Sequence, residues 1–404
     1  MRVGGSGMRI ALATVVLLSL LQTSVHAQMW ADAEWLYFAR LSGSNVPVIS
    51  GPNGFSTDND GSGSGYRLSI GGHIGDFEID ASFLNIEGLS SSSTGTLTSA
   101  LSFDTEANNA IVFNGGANGT APANTLAISS ALFRAATYAG AGDNETLEAE
   151  FLLPGATVAL QSYTDVRSGE INFGTNRNLR PWRLGVGYRT WIVTDGTSSL
   201  ISGTFDALDA DDAQTVGGGT NDANDGLSHA ALTSAGYGLV AGGADGFDAI
   251  AVGGPDTLRI FDSGYARNEL HGAQLTGAYQ LFPLEWLTLE VIGRAGLYYN
   301  NVQGSVLEQL AGSVNDDSIY QRAFSGKKSA ASFVGTLGFR GLFPITDYIS
   351  VIAGYEAIFM GGVALGSKQF EGISTTPLGA EYYDPRSSNH LILHGGNLGL
   401  QITW

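Results

Sequence analysis

The last eight residues of the chain alternate strictly. Leu398, Leu400, Ile402 and Trp404 share one face of a strand, and Asn397, Gly399, Gln401 and Thr403 share the other. The same period of two recurs upstream. Trp35, Tyr37 and Ala39 alternate with Glu34, Leu36, Phe38 and Arg40, and Phe77, Ile79, Ala81 and Phe83 alternate with Glu78, Asp80 and Ser82. Trp182, Leu184, Val186, Tyr188 and Thr190 stand against Arg183, Gly185, Gly187, Arg189 and Trp191. Extended with turn signals such as Gly75-Asp76 and the prolines at 181, 283 and 344, the pattern predicts ten strands: 30–41, 65–74, 76–87, 157–173, 182–193, 264–281, 286–301, 328–342, 348–364 and 389–404. Alternation is poorest in 157–173.

The connections alternate too. Those near 75, 177, 284 and 345 are short, and 42–64, 88–156, 194–263, 302–327 and 365–388 are long. An even number of strands, an apolar face closed by a terminal aromatic, and long loops at every second connection predict a transmembrane, antiparallel, up-and-down β-barrel. Both mature ends and the short turns are expected on the periplasmic side, and the long loops outside. The two longest loops have room for an extra hairpin, so twelve strands is the rival count.

Charge on a lipid-facing surface costs several kcal/mol, so charged strand residues are expected to face the lumen. These are Arg67, Glu78, Asp80, Arg183, Arg189, Glu290, Arg294, Arg340 and Glu356. Aromatics near strand ends suit the two interfacial girdles. Trp30, Trp35, Trp182, Trp286, Tyr348 and Trp404 are expected near the periplasmic ends, and Trp191, Tyr298, Tyr299 and Phe359 near the outer ends.

Composition agrees with this class. Only 14% of residues are charged, Gly is high at 57, Pro is low at 10 and Cys is absent, so no disulfide framework holds the fold. Residues 1–27 read as a secretory signal peptide: Arg2 and Arg9, an apolar run from Ile10 to Leu21, then Val25-His26-Ala27 before cleavage. The mature single domain would span 28–404. Losing Arg2 and Arg9 takes the net charge from −19 to −21.

No Lys or Arg occurs between Thr194 and Leu258, a stretch that carries Asp206, Asp209, Asp211 and Asp212. This acidic outer loop argues against a nucleic-acid partner. Its spacing lacks the Gly and terminal Glu of a calcium loop, so no metal is assigned. His390 and His394 lie about 13 Å apart on a strand, too far for one metal. Gly236 to Ala241 mimics a dinucleotide fingerprint without a βαβ setting and is expected to be a Gly-rich loop. No catalytic group and no cofactor is predicted. The expected partners are outer-membrane lipid and the barrel-assembly machinery, which would read the C-terminal strand.

Several stretches resemble a β-barrel porin family found mainly in planctomycete bacteria. They are Ala33-Glu34-Trp35-Leu36-Tyr37, Glu170-Ile171-Asn172 with Gly187-Tyr188-Arg189-Thr190, Asn268 to Gln274, Gly338-Phe339-Arg340 with Val351 to Tyr355, and Gly396 to Leu400. The likeness is patchy across 30–404 and lies in the order of the motifs. Thr190 stands where the family has Tyr, and the family's Pro-rich segment is reduced to Val46-Pro47-Val48. The resemblance implies an outer-membrane barrel and assigns no functional residue.

Three functions compete at this stage. One is a passive channel for small polar solutes or cations, and another is a structural or surface-interaction barrel with a filled lumen. The third, a barrel enzyme, has only scattered candidates such as His271. A barrel near eight strands is filled by its side chains, whereas open porins have sixteen or more.

Overall fold

The computed structural model describes residues 28–41, 46–50, 55–57, 61–96, 101–103, 125–126, 149–152, 155–176, 181–205, 226–227, 229–234, 236–243, 247–248, 256–284, 286–312, 318–375 and 381–404. Ten strands form the barrel: β1 (Met29–Leu41), β2 (Ser62–Ile74), β3 (Phe77–Thr96), β4 (Thr157–Thr175), β5 (Trp182–Phe205), β6 (Asp256–Leu284), β7 (Leu287–Gly312), β8 (Ile319–Pro344), β9 (Ile349–Val363) and β10 (Asn389–Thr403). Each pairs antiparallel with its neighbours in sequence, and β10 pairs back onto β1. Met29 and Trp404 exchange both backbone hydrogen bonds, at 2.8 and 2.9 Å, and so close the ring where the chain ends meet. The signal-peptide reading of 1–27 and the four acids Asp206, Asp209, Asp211 and Asp212 lie outside the described residues.

Lipid explains the outer face. Leu275, Leu297 and Leu337 are 67%, 74% and 64% exposed, and Val186, Ile171, Leu398 and Leu400 are exposed beside them. An apolar surface that continues around the molecule is far larger than water tolerates on a monomer. On β5 the outward residues run Trp182, Leu184, Val186, Tyr188 and Thr190, nine residues from end to end, which a tilted strand needs to cross a bilayer core. No helix among the described residues is long and apolar enough to cross a membrane.

The strands differ in length, and this shapes the molecule. β1, β2, β9 and β10 have 13, 13, 15 and 15 residues. The six contiguous strands β3 to β8 have 20, 19, 24, 29, 26 and 26. They continue past the outer aromatic level as a curved wall. From Thr190 to Phe205, β5 adds roughly 50 Å along its own direction at about 3.3 Å per residue.

In this wall the alternation changes sign. Within the membrane β4 points Ile171 and Phe173 outward and Glu170 and Asn172 inward; above it, Gln161 and Arg167 are exposed while Val158, Leu160 and Val166 are buried. Water replaces lipid outside, so the polar face turns outward there. This reversal accounts for the weak alternation of 157–173 and for strands longer than the sequence pattern predicts. Short strands outside the barrel ladder pair Val46–Ser50 with Phe55–Thr57 and Leu101–Phe103 with Ala149–Leu152.

Gly238–Ala241, expected to lie in a Gly-rich loop, is a short strand that extends the wall by pairing with Ile319 to Gln321 at the tip of β8. At the opposite end of β9, Gly362 sits in a bulge with φ +77°, where a side chain would also meet the Ala331 carbonyl oxygen. There the chain leaves the barrel ladder and turns inward, and Val363, Ala364 and Leu365 are all buried.

Candidate functional site

The bore is the place where the sequence pattern puts the chemistry, and it is built in three layers. The layer nearest the short turns is charged. Arg67 joins Glu34 at 3.6 Å and Glu356 at closer range, and Arg183 joins Glu78 at 3.4 Å and, more closely, Asp80. Arg294 reaches Glu170 and Glu356 at 3.6 and 3.7 Å, Arg189 reaches Glu170 at 3.2 Å, and Arg340 reaches Asp32 at 2.6 Å. Amides fill the remaining positions: Gln274 Nε2 donates to Glu170 and to Asn172 Oδ1, both at 2.8 Å, and Asn172 Nδ2 donates to Asp80 at 2.9 Å. Glu170 and Glu356 are thereby held by side chains from several strands, which is what buried charge requires. A polar cavity of about 70 Å³ remains within this layer.

The second layer is apolar. Leu36, Phe38, Leu84, Ile86, Val166, Trp191, Val193, Leu270, Tyr298, Val334, Ile358, Met360, Leu391 and Leu393 form one buried cluster with Leu89, Val363 and Leu365. Its members come from every barrel strand except β2, and none is more than 8% exposed. β2 contributes glycine at this level: a side chain on Gly65 would run into the Asn85 carbonyl oxygen. The cluster therefore fills the cross-section. Arg189 ties the layers together, its guanidinium lying 3.8 Å from the centre of the Trp191 ring.

The third layer is a polar collar that holds an in-folded segment. Arg40 Nη1 donates to Asp195 Oδ2 and Thr164 Oγ1, both at 2.6 Å, and Asp195 Oδ1 accepts from the Gly366 amide at 2.6 Å. Asn268 grips Ala364 with both ends of its amide, donating to the carbonyl at 2.8 Å and accepting from the N–H at 2.7 Å. The 3₁₀ helix Gly366–Gly372 follows, packed against β5, β6 and β7. Gln369 secures it by donating to the Leu365 and Arg386 carbonyls and accepting from the Tyr383 hydroxyl at 2.8 Å.

Further out, Glu308 accepts from Arg322 Nε at 2.8 Å and from the Tyr237 hydroxyl at 2.9 Å. Burial, and then the negative charge of Glu308, push the Tyr237 phenol well above its ordinary pKa. His229 Nδ1 lies 2.9 Å from the Tyr320 hydroxyl. These contacts fasten the short helix His229–Ser234 and the strand after it to the inner side of the wall.

The nine charged residues expected to face the lumen lie inside the barrel: Glu78, Asp80, Arg189, Glu290 and Glu356 are buried, and Arg67, Arg183, Arg294 and Arg340 nearly so. Eight of them share the ion-pair network just described, and Glu290 accepts from Gln280 at 3.5 Å. Trp182, Trp286, Tyr348 and Trp404 are exposed on the outer surface at the turn end. Trp35 is also exposed but lies halfway along β1, stacked on Tyr37 and opposite Tyr66. Three further aromatics expected in the girdles face inward instead. Trp30, Trp191 and Tyr298 are 6%, 0% and 4% exposed, because each falls on the strand face that carries the bore's side chains.

His271 and His394 face outward beside Tyr188 and Tyr355, and His390 stacks on Phe359. Asp32, Glu34, Glu170, Asn172, Gln274 and Asn268 belong to the bore, though the charge pattern did not single them out. Most of them lie in the stretches that carry the family resemblance.

No protein-family model matches the chain, and no curated protein does. Among solved structures, the outer membrane protease OmpT of Escherichia coli aligns over 95% of this chain and 99% of its own at 9% identity and a TM-score of 0.36. The toluene transporter TodX of Pseudomonas putida aligns over 94% and 90% at 9% identity and a TM-score of 0.20. A Pseudomonas aeruginosa FadL homologue aligns over 94% and 89% at 12% identity and a TM-score of 0.20. These are outer-membrane barrels of different activities, and similarity this loose transfers none of them.

Proposed function

We propose that the protein is a sealed outer-membrane barrel whose role is structural or interactive, carried by the wall and acidic loops outside the membrane. The observation that carries this reading is the apolar layer from nine of the ten strands, which closes the bore between the charged chamber and the collar. Water and ions do not cross a packed core of this kind. The passive channel favoured by the sequence pattern would require that layer to part.

In this reading residues 1–27 direct export and are removed, the short turns face the periplasm, and the assembly machinery engages the strand ending at Trp404. The loop with Asp206, Asp209, Asp211 and Asp212 faces the medium. No cofactor and no catalytic group is assigned.

The test is conductance. Purified protein reconstituted in planar bilayers should give no steady single-channel current in potassium chloride, and liposomes carrying it should not swell in small sugars. Reproducible current steps from heat-modifiable, folded protein would restore the channel.

A further inference from the structure

The charged layer contains an imbalance. Six carboxylates and four guanidinium groups line its cavity, leaving two negative charges over. The adjoining Glu78 and Arg189 cancel each other in this count, and His73, 3.6 Å from Glu78, adds a positive charge only when protonated. Uncompensated charge in a bore of low dielectric constant is costly, so the surplus must be balanced by protons or by a cation.

The cavity has features that suit a cation. Its room comes from short inward side chains, Ala278, Ser69, Ser82 and Gly338. At about 70 Å³ it holds an ion together with water, since one water needs only about 15 Å³ by the same measure. Thr276 lines it, is 6% exposed, and its hydroxyl has no hydrogen-bond partner. A buried hydroxyl oxygen left without a partner is an open position for a hard cation or its hydration water. Glu356 Oε1, also on the cavity wall, accepts no hydrogen bond and, among the described residues, has only Arg294 Nη1 nearby, at 3.7 Å. Among the described residues no three carboxylates or imidazoles converge closely enough to grip a metal directly. That geometry points away from a divalent ion in a carboxylate cage and toward a weakly held cation that keeps its water.

We propose that the charged chamber binds a hydrated monovalent cation of the size of sodium or potassium, seated against the Thr276 hydroxyl and the surplus carboxylates. The site does not depend on the bore being sealed, because cation binding and conductance are read by different measurements.

The experiment is thermal melting of the full folded protein in detergent at constant ionic strength. Sodium or potassium chloride is compared with the chloride of N-methyl-D-glucamine, a cation too large for the cavity. The midpoint should rise saturably by about 2–4 °C in sodium or potassium relative to the bulky cation. Glu290→Gln lowers the net negative charge of the chamber by one, and Thr276→Val removes the hydroxyl. Each variant that shows the folded, heat-modifiable gel band should lose most of the difference. Identical melting of the wild type in all three salts would overturn the proposal, because protons then balance the chamber. A full cation effect retained in both variants would overturn it too, because the ions would then be acting at the outer acidic loops.

Discussion

Arg40 on β1 and Asp195 on β5 meet across the bore, Nη1 to Oδ2 at 2.6 Å, although they lie 155 positions apart in the sequence. Three strands lie between theirs along the shorter way round the ring, so the pair braces the barrel from inside at the level where the in-folded segment docks. Their side chains are 2% and 0% exposed. Removing one partner leaves the other charge buried and uncompensated, at a cost of about 3–5 kcal/mol. Arg40→Ala and Asp195→Asn should each lower the unfolding midpoint in urea strongly. The double variant Arg40→Met with Asp195→Leu should recover much of the loss. Single variants that unfold like the wild type would show that the brace is not formed.

Leu275 tests the lipid-facing assignment. It is 67% exposed and opposite Val186 in the middle of the apolar band. Leu275→Arg should cost about 2–4 kcal/mol for folding into vesicles. Its neighbour in sequence, Gln274, points into the bore, so the effect belongs to the face and not to the region. Unchanged folding of Leu275→Arg would argue that this face does not meet hydrocarbon.

The Asn268 amide holds Ala364 through two hydrogen bonds of 2.8 and 2.7 Å. Asn268→Ala leaves a buried carbonyl and a buried N–H without those partners, each worth about 1–3 kcal/mol. The barrel ladder should survive while the segment from Ala364 to Arg386 loosens. Trypsin should then cut after Lys368 or Arg386 many times faster than in the wild type, with the heat-modifiable core band intact. Unaltered cleavage would mean that the remaining anchors, above all Gln369, suffice.

Tyr237 yields a pH dependence. Its folded phenol holds its proton to higher pH than the unfolded one, because it is buried and beside Glu308. The unfolded chain therefore loses its proton first, above about pH 10, and the contribution of this anchor to stability falls as pH rises further. Melting between pH 9 and 11 should fall less steeply in Tyr237→Phe than in the wild type. Parallel curves would show that the phenol is not held in this way.

Much of the barrel was legible in the sequence, because a strand between lipid and a polar interior must alternate residue by residue. The alternation of Leu398, Leu400, Ile402 and Trp404 against Asn397, Gly399 and Gln401 determined the outer face, and the rhythm of short and long connections predicted ten strands against a rival count of twelve, which the closure of β10 on β1 decided. The inward placement of Arg67, Glu78 and Glu356 followed from the cost of charge in hydrocarbon.

The tertiary structure decided what fills the ring. Leu36 and Phe38 share a strand face with Glu34 and Arg40, so their inward position could be read locally. Only the closed ring brings them against Ile358, Met360 and Leu391 as one layer across the bore. The same closure turns Trp191 and Tyr298 from girdle candidates into core residues. It also decides where water begins: beyond Arg167 the wall leaves the membrane, the solvent on its outer side changes, and alternation reverses sign, which no local period can distinguish from a broken pattern.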